Sequence, residues 1–337
     1  MIGIDLGGTN VRAGAFFEDG SAAGESFSNP SNAQHGTQAV LEAIAKTVKE
    51  AEEAATEKPT AIGLAIPGHI DDDAGIVVWA PNFGEDVNGV FVSWKNVAIR
   101  EPLAKLVGKT VHMGNDANLA ALGEYQFGSG KNSARCLVMI TLGTGVGGGI
   151  VMAPHAVQGQ AKGSLVLLGG NKGGAELGHT VINYQGQDCN SGEYGSVEGY
   201  LGRDAIMKRA LHRLGRGRKS ILPGMVDGDL SQLTPKHLSE AADKDDEVAI
   251  EVYDEVGTML GVAIGNFISI FAPDIVAIGG QIAKAGDWIL KPARRTARNV
   301  AVPSLFDSAR ILVAEQIDDA GMLGGAALAL QASEHDA

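Results

Sequence analysis

Only two cysteines occur in 337 residues, too few for a disulfide framework. One of them, Cys136, lies in the apolar run CLVMITL and reads as a buried structural thiol. A reducing compartment, the cytoplasm, is the expectation that follows. The opening MIGIDLGGTN has no basic stretch and carries Asp5, which argues against a secretion signal. Positive charge is also scarce: 27 Lys and Arg against 40 Asp and Glu give a net charge of −13, which disfavours nucleic acid and anionic lipid as partners. The one run that approaches a bilayer in length, VGTMLGVAIGNFISIFA at 256–272, contains three glycines and Asn266 and ends at Pro273 and Asp274. It reads as a buried helix, with no membrane as partner. A P-loop is missing too, because GKT at 108–110 has Leu103 where the first glycine of that motif belongs.

What the chain does contain is an alternation of short apolar runs with helical patterns. MIGID, VRAGAFF and TAIGLAIPG surround the helix-like GTQAVLEAIAKTVKEAEEAA. REPLAKLVG, TVHMGND and NLAALGEYQFG follow, and then a second strand pair, CLVMITLGTGVGGGIVMA. This is an α/β chain long enough for two domains, with 45% hydrophobic and 20% charged residues. In both IGIDLGGTNVRAG and MITLGTGVGGGIV a strand enters a turn of glycine and threonine and a second strand leaves it, one supersecondary unit used twice. The basic, glycine-rich stretch 212–232 reads as a solvated excursion.

The glycine turns and their neighbouring carboxylates carry the chemistry. Gly143, Gly145 and Gly148 have the spacing of a dinucleotide fingerprint, but the apolar GIVMAP that follows suits a strand, so a hairpin is expected instead of a helix start. Consecutive glycines let backbone N–H groups converge on one anion, and a threonine hydroxyl adds a donor. Asp5 precedes the first turn, where a carboxylate can hold Mg²⁺ or its water shell. Asp116, in GNDANLAALGE, is either a helix N-cap or a catalyst. DCNSGEYGSVEG at 188–199 is too irregular for helix or strand and reads as a loop, flexible or binding.

DLGGTN, AIPG, APNF, GNDAN, LGTGVGGG, GGNKGGAELGH and AIGGQIA occur in this order, and DAGMLGGAALAL lies near the end. Over nearly its whole length the chain thereby resembles the sugar kinases of the ROK family. The resemblance implies an actin-like, hexokinase-like ATPase fold with two ribonuclease-H-like α/β domains around a cleft that closes on substrate. The expected division is 1–112 plus 318–337 against 113–317. It also implies ATP with Mg²⁺, a sugar substrate and a homodimer. Asp5, Gly7, Gly8, Thr9 and Asn10 become the first phosphate loop and Gly143, Thr144 and Gly145 the second, with Gly279 and Gly280 against adenosine. Gly68, Asn82, Asn115, Asp116, Glu176, His179 and Glu198 become the sugar site, Asp116 as general base. Vicinal hydroxyls call for both donors and acceptors, which Asn, Glu and His supply.

One loop departs from the family pattern. Where the family carries Cys-x-Cys-Gly-x-x-Gly-Cys-x-Glu and holds zinc with a histidine, this chain has Cys189, Ser191, Gly192, Gly195, Ser196 and Glu198. Two of three thiolates are hydroxyls, so no structural zinc is expected and hydrogen bonds are expected to hold the loop, with Asp188 or Glu193 as candidates to complete a weaker site. The function expected is an ATP-dependent hexokinase making glucose 6-phosphate. The alternatives are kinases for fructose, mannose or N-acetylhexosamines, and a sugar-responsive repressor, which would carry a basic DNA-binding domain ahead of a first strand that only Met1 precedes here. An actin-like protein without a sugar site is a third class, against which GNDAN and AELGH speak.

Overall fold

The computed structural model describes residues 1–131, 133–153, 166–168, 174–187, 192 and 194–335. The chain forms β1 (Ile2–Leu6), β2 (Asn10–Ala15), β3 (Phe27–Pro30), α1 (Thr37–Ala54), β4 (Ile62–Ile66), β5 (His69–Asp71), β6 (Ile76–Val87), β7 (Val90–Ala98), α2 (Arg100–Val107), β8 (Val111–Asn115) and α3 (Asp116–Phe127). It continues through β9 (Cys136–Leu142), β10 (Val146–Met152), β11 (Val166–Leu168), α4 (Val197–Leu201), α5 (Arg203–Gly215), α6 (Pro235–Ala242) and α7 (Glu247–Phe271). β12 (Ile275–Gly279), α8 (Asp287–Val300), α9 (Pro303–Phe306), β13 (Arg310–Val313) and α10 (Ala320–His335) complete it.

Two compact units result. Met1–Arg135, Gly149–Ala175 and Asp318–Ala337 make the first, Cys136–Gly148 and Glu176–Ile317 the second. The expected cut between residues 112 and 113 therefore moves. β8 pairs in parallel with β4 from Ile62–Val111 to Ile66–Asn115, so that cut would divide a strand of one sheet, and α3 packs along α10.

The first unit is built on a sheet of order β3-β2-β1-β4-β8. Val40, Leu41, Ile44 and Val48 form the buried stripe of α1 and join Ile2, Ile4 and Leu64 in one core. α10 packs on β1 and β4 at backbone distance: a Cβ on Gly3 would meet the Met322 carbonyl, and one on Gly63 the Gly325 carbonyl. A three-stranded sheet, β5-β6-β7, carries a register slip between Ala80 and Gly84. The slip throws Pro81 to Phe83 out of the ladder as a bulge. Phe83 turns inward onto Trp94, ring centroids 4.9 Å apart, which leaves Asn82 exposed.

In the second unit β12 lies between β9 and β13, parallel to both. The apolar run suspected of spanning a membrane is part of α7, whose start is capped by Asp246 accepting from the Ala249 N–H at 3.0 Å. By length and composition α7 could cross a bilayer, yet half of its most apolar window is buried in the protein. Its glycines 257, 261 and 265 form a stripe on which α8 seats, a Cβ on Gly257 or Gly261 meeting the carbonyls of Ile289 and Ala293. The stretch 212–232 is more ordered than expected, with 3₁₀ turns at Leu222–Val226 and Leu230–Gln232. Arg213 and Arg218 pair with Glu251 on α7 at 3.2 and 2.8 Å.

The contact of α10 with the sheet gives a direct test. Gly63→Ala forces a methyl against backbone that cannot yield as a flexible side chain would, and is expected to cost about 2–4 kcal/mol or to prevent folding. Chemical denaturation showing less than about 1 kcal/mol would contradict the close approach.

Candidate functional site

Both expected glycine hairpins are present. In the first unit the turn between β1 and β2 is closed by Gly7 N–H donating to the Asn10 carbonyl at 2.8 Å and backed by Ser31 N–H on the Thr9 carbonyl at 2.9 Å. In the second, Gly143 N–H donates to the Gly145 carbonyl at 3.0 Å, so Gly143-x-Gly145-x-x-Gly148 is a hairpin and no helix starts there. Gly8 and Gly143 share a property that bears on function. Neither has a left-handed backbone, and a Cβ on Gly8 would meet nothing within 4 Å, one on Gly143 only the Gly145 carbonyl at 3.9 Å. Folding alone would accept alanine at both; what the missing side chain provides is room for close approach to the backbone.

Asp5, at the end of β1, is largely buried. Burial first, then the charge of Asp116, push its carboxyl up to about 6, with Arg12 opposing and Asp319 adding to the rise. Arg12 reaches the start of α10, Nη1 donating to the Asp318 carbonyl at 2.5 Å and Nη2 to Asp319 Oδ1 at 2.7 Å.

The cap of α3 is supplied by the residue before Asp116. Asn115 has extended backbone and is the N-cap of α3, its Oδ1 accepting from Asn118 N–H at 3.1 Å and its Nδ2 donating to the Gly68 carbonyl at 3.0 Å. Asp116 is the first helical residue, half-buried, with Oδ1 accepting from Ala117 N–H at 2.8 Å. Gly68 is held by the fold itself: its φ is 105° and a Cβ would meet the Trp79 carbonyl.

In the second unit Glu176 precedes and His179 ends the 3₁₀ turn Leu177–His179, Oε2 to Nε2 3.9 Å. Glu198 lies in α4 and accepts from Val146 N–H at 2.9 Å, and Gly178 abuts the Val146 carbonyl. The start of β10 thus brings the 3₁₀ turn and α4 together. Gly280, φ 80°, closes on the Leu142 carbonyl, which puts the Gly279–Gly280 turn beside the second hairpin. Beside both is a cavity of about 690 Å³ lined by Gly143, Thr144, Arg203, Thr234, Pro235, Lys236, Ser239, Glu240, Gln281, Ile282 and Lys284. Apart from Gly143, Thr144, Gln281 and Ile282, the last two within AIGGQIA, sequence reasoning missed this wall. Thr234-Pro235 is a legible helix start, but nothing in the chain tells which helix starts face a cavity.

The zinc implied by the family resemblance finds a poor donor set. Cys189 and Ser191 lie outside the described residues. Ser196 is fully buried and serves as the N-cap of α4, its Oγ accepting from Gly199 N–H at 3.2 Å. A hydroxyl so used does not ionise to bind metal, and His179 with Cys189 leaves a four-ligand site half filled. Burial pushes the thiol of Cys136 up to about 12, in keeping with a structural role.

Two measurements follow. The unfolded chain loses the Asp5 proton near pH 3.8 and the folded chain keeps it to about 6, so wild-type stability falls across that window and stays down above it. Asp5→Asn is expected to be more stable than wild type by about 1–3 kcal/mol at pH 8, the gain shrinking toward zero at pH 4, in denaturant titrations. Metal analysis of purified protein is expected to find well under one zinc per chain, with the melting temperature unchanged after prolonged chelation; stoichiometric zinc would refute the reading of the loop.

The ROK family model matches residues 1–332. A glucokinase of Thermotoga maritima is 35% identical over 329 residues, 97% of this chain and 96% of that one. A ROK family glucokinase from Streptomyces griseus, solved with glucose and AMPPNP, superposes with a TM-score of 0.81 at 31% identity, covering 98% of this chain and 99% of that one. The xylose repressor of Caldicellulosiruptor bescii is 29% identical, over 86% of this chain and 67% of the repressor. Glycine hairpins, sheets and full-length likeness agree: the chain belongs to the ROK family and has the actin-like, hexokinase-like ATPase fold.

Proposed function

We propose that this protein transfers the γ-phosphoryl group of ATP to the 6-hydroxyl of glucose. The observation that carries the reading is the full-length likeness to a ROK glucokinase solved with glucose and AMPPNP. The geometry supports a division of labour among this chain's residues. Gly8 and Thr9 in the first turn and Thr144 and Gly145 in the second offer backbone N–H groups to phosphates, and the cavity beside Gly143 and Thr144, with Pro235 and Ile282 in its wall, takes adenosine. Arg203, Lys236 and Lys284 supply positive charge at its rim.

Asp116 accepts the proton of the attacking hydroxyl. Because Asn115 caps α3, the carboxylate is not needed for that task. Glu176, His179 and Glu198 present acceptors and a switchable donor to the ring hydroxyls, and Asn82 is displayed by the bulge in β6. Mg²⁺ fits Asp5: a carboxylate that the fold leaves costly to ionise becomes favourable beside a divalent cation, which would supply neutralisation of the phosphate charge. An ATP-consuming enzyme of this kind works in the cytoplasm. Two predictions test the reading. In a coupled assay over a hexose panel, kcat/KM is expected to be highest for glucose, ahead of mannose, fructose and the N-acetylated sugars; a higher value for N-acetylmannosamine overturns the glucose assignment. Asp116→Asn is expected to lower kcat by about 10² to 10⁴ with the KM for ATP and the melting temperature little changed, whereas near-normal turnover removes Asp116 as the base.

A further inference from the structure

The segment that follows His179 leaves the 3₁₀ turn, runs outward to Gln187, and returns from Tyr194 into α4. Its two limbs are joined by a short backbone ladder. Val197 N–H donates to the Thr180 carbonyl at 2.9 Å, Val181 bridges Ser196, and the N–H groups of Ile182 and Asn183 both reach the Gly195 carbonyl, at 2.9 and 3.1 Å. Gly195 N–H returns a bond to the Gln187 carbonyl at 2.7 Å. A ladder this short, within a glycine-rich loop, has little apolar area to hold it. Among the described residues one side-chain crosslink joins the limbs: Asn183 Nδ2 donates to the Tyr200 hydroxyl at 2.9 Å.

The surroundings of that bond are shaped to it. Tyr200 is 7% exposed, so a hydroxyl without a partner there would be a buried cost. A Cβ on Gly186 would meet the Tyr200 hydroxyl, and one on Gly195, φ 69°, the Asn183 carbonyl, so both glycines make room for the pair. From below, the Arg209 guanidinium lies 5.6 Å from the Tyr200 ring centroid and donates to the Tyr200 carbonyl at 3.0 Å. Tyr200 is thereby fixed to α5, two residues beyond Glu198, while Asn183 lies four residues beyond His179.

We infer that Asn183 and Tyr200 are a positioning pair, which sets the separation of His179 and Glu198 and so the fit to vicinal hydroxyls of the sugar. This rests on the kinase reading for its link to the sugar, and on the hydrogen bonds alone for the brace. It gives the loop a crosslink made of an amide and a phenol where the family pattern has thiolates. Neither residue touches the reacting atoms; both act through the two side chains they hold apart.

The experiment uses the full-length protein with Tyr200→Phe, Asn183→Leu and Asn183→Asp, the last able to accept a hydrogen bond from the phenol. Tyr200→Phe and Asn183→Leu are expected to raise the KM for glucose about five- to twentyfold, with the KM for ATP within about twofold, and Asn183→Asp to stay near wild type. Hydrogen exchange of the Ile182, Asn183 and Gly195 amides is expected to speed up at least about tenfold in the first two variants only. A glucose KM unchanged in Tyr200→Phe, or glucose and ATP constants rising together, overturns the positioning role. If the wild type phosphorylates no hexose, the kinase reading falls, and the exchange measurement still decides the brace: lost protection sustains it and intact protection overturns it. Should Asn183→Leu fail to fold, Tyr200→Phe against Asn183→Asp gives the same comparison.

Discussion

Backbone-to-backbone contact of α10 with the strands β1 and β4 and with α3 is the constraint on which the first unit depends. Gly3, Gly63 and Gly123 on one side, Gly324 and Gly325 on the other, leave no room for a side chain between the elements. The glycines of this helix lower its intrinsic preference relative to alanine, a cost offset by what the helix packs on. The close fit has an electrostatic consequence. It draws the start of α10 beneath β1, where Gly321 abuts the Asp5 carboxylate and Arg12 ties down Asp318 and Asp319. Packing chosen by glycine therefore ends by burying a carboxylate, and the burial is what raises Asp5.

The two glycine hairpins are alike in backbone and unlike in support. The second is backed by a carboxylate already engaged, Glu198 on Val146 N–H, and by Arg203 N–H on the Gly143 carbonyl at 3.1 Å. The first is backed by Asp5, for which the fold supplies Arg12 as a cation but also Asp116 and Asp319 as like charges. Such an arrangement costs stability in the protein by itself and is relieved when positive charge arrives, the pattern expected where a site is organised for a ligand and not for the fold.

Much of this was legible in the chain. Short apolar runs on either side of the glycine-threonine turns in DLGGTN and LGTGVGGG named both hairpins, and the apolar strand after Gly148 was enough to reject a helix there. GNDAN was not resolvable, because Asn and Asp cap equally well and only the extended backbone of Asn115 assigns the cap. The expected cut at 112/113 falls inside β8 for a related reason: the β4–β8 pairing joins residues about fifty positions apart, which no local pattern reveals. Asn82 was named by resemblance, but the slip in register that displays it depends on how β6 meets β7. Most of the cavity wall was invisible because Arg203, the segment 234–240 and Lys284 share no motif.

The limbs at 180–187 and 194–200 show what a hydroxyl does where the family pattern has a thiolate. Thiolates serve a loop by binding one ion from several directions, and the ion then fixes their separation. A hydroxyl can do neither, but it can do what Ser196 does here: accept a bond from Gly199 N–H and start a helix. Once position 196 is a cap, α4 begins at Val197, which places Glu198 in its first turn and Tyr200 one turn from the cap. Tyr200 is then within reach of Asn183 across the ladder, at 2.9 Å. The separation of His179 from Glu198 comes to rest on helix geometry, the backbone ladder and one neutral side-chain hydrogen bond, none of which a chelator can remove.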